Sequence, residues 1–270
     1  MRVLAWSLLA ALLVAPGAEA SAVASAISSS IADHRALYEI TLARAQAGST
    51  VQGVSGQMIL EVKGQCDTVT VNQMFRSDFW GADAKPKHSE LRISSLEGLD
   101  GASFAFSFHN VVDGVVAEHF QGKAARAASG GEGAITYDGA AFAAARLPGD
   151  AIFPSRHLTR LLAAAQAGER TLAVKVFDGA EKGKVYRAVA VIGRKEKSAA
   201  NAPASLSGLA HWRVMISYYP LGSQDPSPEY ESAFDLFANS VSARLVLDYG
   251  KFAIRADLQS LKLLPKADCK

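Results

Sequence analysis

One stretch stands apart from everything around it: Phe153–Gly168, FPSRHLTRLLAAAQAG, a helical pattern set between two long regions that alternate apolar and polar residues. Leu158, Leu161, Leu162 and Ala165 recur at i, i+3, i+4 and i+7, so they share one helix face. Pro154 suits the first turn, where its missing N–H costs nothing, and Gly168 suits the left-handed position after the last turn. Ser155 reads as a capping residue. One narrow apolar face cannot form a core alone and needs a sheet to cover. The expected fold is therefore mainly β: a curved antiparallel sheet closed over one main helix.

The flanking regions supply the sheet. Tyr38, Ile40 and Leu42 face one way; Met58, Leu60 and Val62, then Val69, Val71 and Phe75, repeat the pattern, and Leu91 and Ile93 begin another strand. Asp100-Gly101 and Asp113-Gly114 are tight-turn signals around Phe104, Phe106 and Phe108, three rings on one strand face. Lys123–Gly133 reads as a small-residue loop and Arg194–Pro203 as a polar linker. After the helix come strands at Leu172–Val176, Tyr186–Ile192, Trp212–Tyr219, Tyr230–Phe237, Val241–Tyr249 and Phe252–Leu263. About a dozen or more short strands at turn spacing favour a sheet that curls into a partly closed barrel.

The first twenty residues set the compartment. Met1-Arg2 is a positive start, Val3–Val14 an apolar run, and Ala18-Glu19-Ala20 a small-x-small cleavage pattern, with Ala24 a second cleavage candidate. The run is too short for a membrane-spanning helix of about 20 residues, and no later segment is long and apolar enough. The expected organisation is a signal peptide over 1–20, a flexible segment over 21–33 and one domain over 34–270, in a soluble exported chain. A formal charge of +2, without a basic run interleaved with aromatics, gives no argument for nucleic acid. Cys66 and Cys269 are an even pair in an exported chain, so a disulfide is expected between them.

Taken in order, His34-Arg35-Ala36-x-Tyr38, Cys66, Phe153-Pro154, Val176-Phe177-Asp178-Gly179, Ser217-Tyr218-Tyr219-Pro220, Leu247-Asp248-Tyr249-Gly250-x-Phe252 and Cys269 resemble the EipB-type cell-envelope-integrity family of exported bacterial proteins. The resemblance implies a periplasmic β-spiral wrapped around a helix, one disulfide at Cys66 and Cys269, a role in maintaining the envelope and no enzymatic activity. It also implies a shape similar to periplasmic lipoprotein carriers, whose open barrels hold acyl chains. One departure is Ser240 after Asn239, where the family pattern carries glycine; a positive φ there would strain serine modestly.

Motifs for chemistry are sparse. Gly53-Val54-Ser55-Gly56 falls one residue short of a nucleophile elbow, and Ser155 and His157, two apart, do not face each other on a helix. His109 and His119 can approach across a hairpin but lack a third metal ligand. Glu90, Glu97, Asp100 and Asp113 are the carboxylates a hydrolase would need to bring together. No catalytic residue, metal or cofactor is assigned. The sequence points instead to an apolar concavity binding a lipid or other amphiphile, with Phe104, Phe106, Phe108, Leu158, Leu161 and Leu162 as candidate lining residues; the same residues also read as ordinary core. Two alternatives are a module docking periplasmic protein partners at an exposed sheet edge and, last, a hydrolase using paired carboxylates.

Overall fold

The computed structural model describes residues 30–81, 85–127, 130–139, 142–197 and 203–269. The signal-peptide assignment lies outside them. The elements run β1 (His34–Ala45), β2 (Gly53–Gly64), β3 (Thr68–Trp80), β4 (Pro86–Gly98), β5 (Ser103–Val112), β6 (Val115–Arg126), β7 (Gly133–Tyr137), β8 (Ala145–Leu147), β9 (Ala151–Ile152), α1 (Pro154–Ala167), β10 (Thr171–Val176), β11 (Tyr186–Lys197), β12 (Ala210–Pro220), β13 (Tyr230–Phe237), β14 (Ser242–Asp248) and β15 (Phe252–Leu263). All fifteen strands belong to one sheet, ordered β8-β7-β6-β5-β4-β3-β2-β1-β15-β14-β13-β12-β11-β10-β9. From β1 to β8 and from β10 to β15 sequential neighbours pair antiparallel, and β1 joins the two halves by pairing with both β2 and β15. The expected curved, mainly β architecture around a helix is what the chain adopts.

The sheet's two edges are its shortest strands, β8 and β9, and only Pro148-Gly149-Asp150 separates them in sequence. Arg126, at the end of β6, donates to Gly149 O at 2.8 Å and to Ala151 O at 2.7 Å, fastening this seam. Curvature has local causes. Register shifts at Leu37/Tyr38 and Leu42/Arg44 bend β1 against β15, and another at Asn110/Val111 bends β5 against β6. At Gly122 a Cβ would meet Thr136 O at 2.2 Å and the Phe106 ring at 2.8 Å, so glycine lets that ring lie against the strand. Asp113 and Gly114 adopt φ of 52° and 79°, the left-handed pair that turns a two-residue hairpin.

Helix α1 buries Leu161, Leu162, Ala164 and Ala165 against Val174, Val176, Ala188, Ala190, Ile192, Trp212, Val214, Ile216 and Leu236, with Leu158 half-buried beside them. Full burial of a leucine contributes roughly 1.5–3 kcal/mol. Gly168 ends the helix at φ 81°. The start differs from the sequence reading. Ser155 makes no cap; Phe153 is the N-cap residue, and the Glu97 carboxylate of β4 accepts the N–H groups of Ser155 (2.7 Å) and Arg156 (3.1 Å). A carboxylate delivered 58 residues away in sequence thus satisfies the free helix N–H groups and pins α1 to the other half of the sheet.

Four further expectations change. The supposed loop Lys123–Gly133 begins only after Arg126, because β6 pairs with β7 up to Arg126↔Gly133. The supposed linker from Arg194 is strand as far as Lys197, paired with β12 through Lys197↔Ala210. Parallel pairing is present once, where β9 and β10 flank α1. In the 21–33 segment, the part within the described residues is packed: Ile31 is buried with Val62, Val69 and Leu99, and Asp33 accepts the Gly64 N–H at 2.9 Å.

Cys66, in the turn between β2 and β3, bonds Cys269, which follows β15; their Cα atoms are 5.4 Å apart. The bridge spans β1, the strand lying between β2 and β15, and closes a loop with a sequence separation of 203. It anchors the chain end at the same end of the barrel as Asp33 and Glu97.

Candidate functional site

The two ends of the barrel are packed differently. At the end bearing Cys66, inward-facing residues are buried: Val62 and Val69, Glu97, Phe104, Trp212 and Leu236. Farther along the same inner faces the side chains become half-exposed. On β3, buried Val69 gives way to Phe75 and Phe79; on β4, Glu97 to Ile93 and Leu91; on β5, Phe104 and Phe106 to Phe108 and Asn110; on β12, Ile216 to Tyr218; on β13, Leu236 to Phe234 and Tyr230. Register confirms that these residues share the inner face, with Phe75 opposite Leu91, Ile93 opposite Phe108, and Tyr218 opposite Tyr230. Leu42, Phe75, Phe79, Leu245, Ile254 and Leu258 pack at the margin of a small buried group formed by Tyr38, Ile40, Val54 and Met58. The inner face is thus buried toward the disulfide end and only partly buried toward the other.

The sequence-chosen candidates fall mostly at the filled end. Phe104 stacks on Phe153 (5.1 Å) and meets Phe177 edge-on (6.0 Å); Phe106 meets Phe177 at 5.4 Å and Tyr137 at 5.7 Å. Leu161 and Leu162 belong to a separate cluster on β10–β13, so the three rings do not pack on the leucine face as the sequence suggested. Phe108, half-buried and stacked on Phe120 at 5.0 Å, is the candidate nearest the opening. The residues that line the opening, Phe75, Phe79, Leu91, Ile254, Tyr218 and Tyr230, carry the same alternation in sequence. What identifies them is their incomplete burial, which only the fold supplies.

The four carboxylates stand apart. Glu90 pairs with Arg76 (3.3 Å) and Arg92 on the outer face. Asp100 accepts the Ala102 N–H (2.8 Å) within its turn, and Asp113 accepts that of His88 (2.9 Å). Glu97 is the buried helix cap, and burial pushes its pKa up to about 7 against the opposing pull of the Ser155 and Arg156 N–H groups. His157, buried on α1, is driven down to about 4 by burial, with Arg160 adding in the same direction. His109 and His119 lie face to edge at 5.2 Å across β5 and β6, and no group of three or more metal-binding side chains occurs among the described residues.

Two open grooves mark the outer surface. One, about 410 Å³, is lined by Arg35, Ile59, Glu61, Asn72, Met74 and Arg92; the other, about 450 Å³, by Ser55, Arg76, Asp78, His88 and Glu90. Their arginines are already paired, Arg35 with Glu61 and both Arg76 and Arg92 with Glu90, which leaves the apolar inner face as the better candidate.

Known proteins share this architecture. The chain is 28% identical over 239 residues to the cell envelope integrity protein EipB of Brucella abortus (strain 2308), an alignment covering 85% of this chain and 83% of that one. It superimposes with a TM-score of 0.81, at 26% identity, on the crystal structure of a β-barrel-like protein of the DUF1849 domain of unknown function, also from Brucella abortus, covering 87% of this chain and 99% of that one. The EipB-like family profile matches residues 25–265, and with that span the chain belongs to the EipB-like family.

Proposed function

We propose that this protein helps to maintain the cell envelope as an exported, non-enzymatic periplasmic component, and that it does so by holding an amphiphile with its acyl chain in the open half of the barrel. The observation that carries this reading is the burial gradient along the inner face, from Val69, Glu97 and Ile216 to Phe79, Leu91 and Tyr218. Apolar rings left half-exposed inside a barrel gain from any chain that covers them, at about 0.8 kcal/mol per buried CH₂. The disulfide supports an oxidising compartment, and the name of the Brucella relative supports the envelope role. Docking a partner by strand addition is less favoured, because the free edges are three and two residues long and tied together through Arg126.

Native mass spectrometry of protein taken from the periplasm without detergent tests the reading. A stoichiometric lipid-sized adduct removed by solvent extraction, and restored by added phospholipid, is expected. A bare mass with no uptake of any acyl compound would overturn it.

A further inference from the structure

One wall of the open end is unlike the rest. From β11 to β15 its inner face presents a continuous ladder of rings: Tyr186 against Tyr218 (6.0 Å) and Tyr230 (5.6 Å), Tyr218 stacked on Tyr230 (4.4 Å), Tyr230 beside Tyr249 (6.3 Å), and Tyr249 stacked on Phe252 (5.2 Å). Three carboxylates lie near it, and Glu229 accepts the Tyr186 hydroxyl at 3.2 Å. The hydroxyl of Tyr186 is held far above its usual range by burial and then by Glu181, Glu229 and Asp178; burial and then Asp178 do the same to Tyr230. Lys184 is paired with both Glu181 (2.5 Å) and Glu229 (2.8 Å). Asp178 has no cationic partner among the described residues; it accepts only the Ala180 N–H at 3.0 Å, and burial raises its own pKa.

Each part of this wall suits a positive group. Tyrosine faces attract a cation through the ring quadrupole, more strongly where water is excluded, and quaternary ammonium ligands are held in aromatic cages of this kind. A carboxylate without a counter-ion, set against such rings, adds the charge that neutral rings lack. An anionic headgroup would meet three carboxylates with one committed lysine between them. We propose that Tyr218, Tyr230 and Tyr249, backed by the buried Tyr186 and with Asp178, form a subsite for an ammonium group, primary or quaternary, on the polar end of the bound amphiphile. This rests on the amphiphile reading above, and it adds which headgroup the protein selects.

The test compares lysophosphatidylcholine with lysophosphatidylglycerol of the same acyl length, by competition in native mass spectrometry of the mature protein. The choline species should bind about tenfold more tightly. Asp178→Asn and Tyr230→Leu should each erase most of that preference while leaving the glycerol species within about twofold of its original affinity. Equal binding, or preference for the glycerol species, would overturn the subsite while leaving the acyl-chain reading standing. If neither species binds, the acyl-chain reading fails. Tetramethylammonium, titrated against the tyrosine ring signals by NMR, then decides the subsite alone: saturable shifts that Tyr230→Leu removes would uphold it, and their absence would end it.

Discussion

The filled end and the open end of the barrel are built from the same strands with the same alternation, yet they do different things. At the filled end α1 occupies the interior, and the facing residues Val174, Ala188, Ala190, Ile192, Trp212 and Val214 are buried to 9% exposure or less. At the open end the inner face is only partly covered: Tyr38, Ile40, Val54 and Met58 are buried, while Phe75, Phe79, Leu245 and Ile254 are partly exposed at the margin of that smaller core. Alternation therefore decides which side of a strand faces inward, while the helix decides whether that inward side is core or cavity. One end holds the fold together, and the proposed binding face lies at the other.

The largest effect that would sharpen this contrast is loss of the staple at the filled end. Chain entropy for so long a loop gives an upper figure of about 5 kcal/mol, and about 2–4 is typical. Cys269→Ser should lower the urea midpoint accordingly; an unchanged midpoint would mean that the end is held by packing alone.

Core truncation comes next. Leu162→Ala removes a side chain that is 3% exposed and should cost about 2–5 kcal/mol. Phe79→Ala at the open end should cost no more than about half as much, because water already reaches that ring. Equal losses in urea titrations would break the distinction between the two ends.

The pH dependence probes the filled end alone. Glu97 rises from an ordinary 4.5 to about 7, so its contribution is fully present below pH 4.5 and is lost as pH climbs through 7. His157 falls from 6.5 to about 4, so its contribution is present above pH 6.5 and is lost as pH drops through 4. In the wild type the two slopes oppose each other between pH 4.5 and 6.5. Glu97→Gln should lose most relative to wild type at pH 4.5 and least at pH 8. Parallel wild-type and variant curves would show that Glu97 does not titrate in the folded protein.

The smallest effect lies at Ser240, which adopts φ 69° and accepts the Ala32 N–H at 3.0 Å through its hydroxyl. Ser240→Gly relieves strain but removes that bond, so thermal unfolding should change by less than about 1 kcal/mol. Ser240→Ala keeps the strain and loses the bond, and should destabilise by about 1 kcal/mol. The reverse order would show that the bond contributes nothing.

Much of this fold was legible because its signals are local. The helix face, the Asp113-Gly114 turn, the alternation in β1 to β5 and the pairing of the two cysteines follow from neighbouring residues or from a count. The misses came from distance in sequence. Ser155 looked like a cap because the true cap, Glu97, lies on a strand 58 residues earlier. Arg194–Lys197 looked like a linker because its polar residues are held as strand by β12 rather than by any pattern of their own. Phe104 and Phe106 were singled out over Phe75 and Phe79 because consecutive rings are conspicuous, although burial makes the former core and leaves the latter at the opening.

The most direct test of the account is where an acyl chain sits. A fatty acid bearing a diazirine near its methyl end would be bound, photolysed, and its adducts mapped by peptide mass spectrometry. The account predicts labels on the inner-face residues of the open end, Phe75, Phe79, Leu91, Ile254 and their neighbours, and none on Leu161, Leu162 or Trp212. Labels confined to Ile59 and Met74 in the outer groove would contradict it.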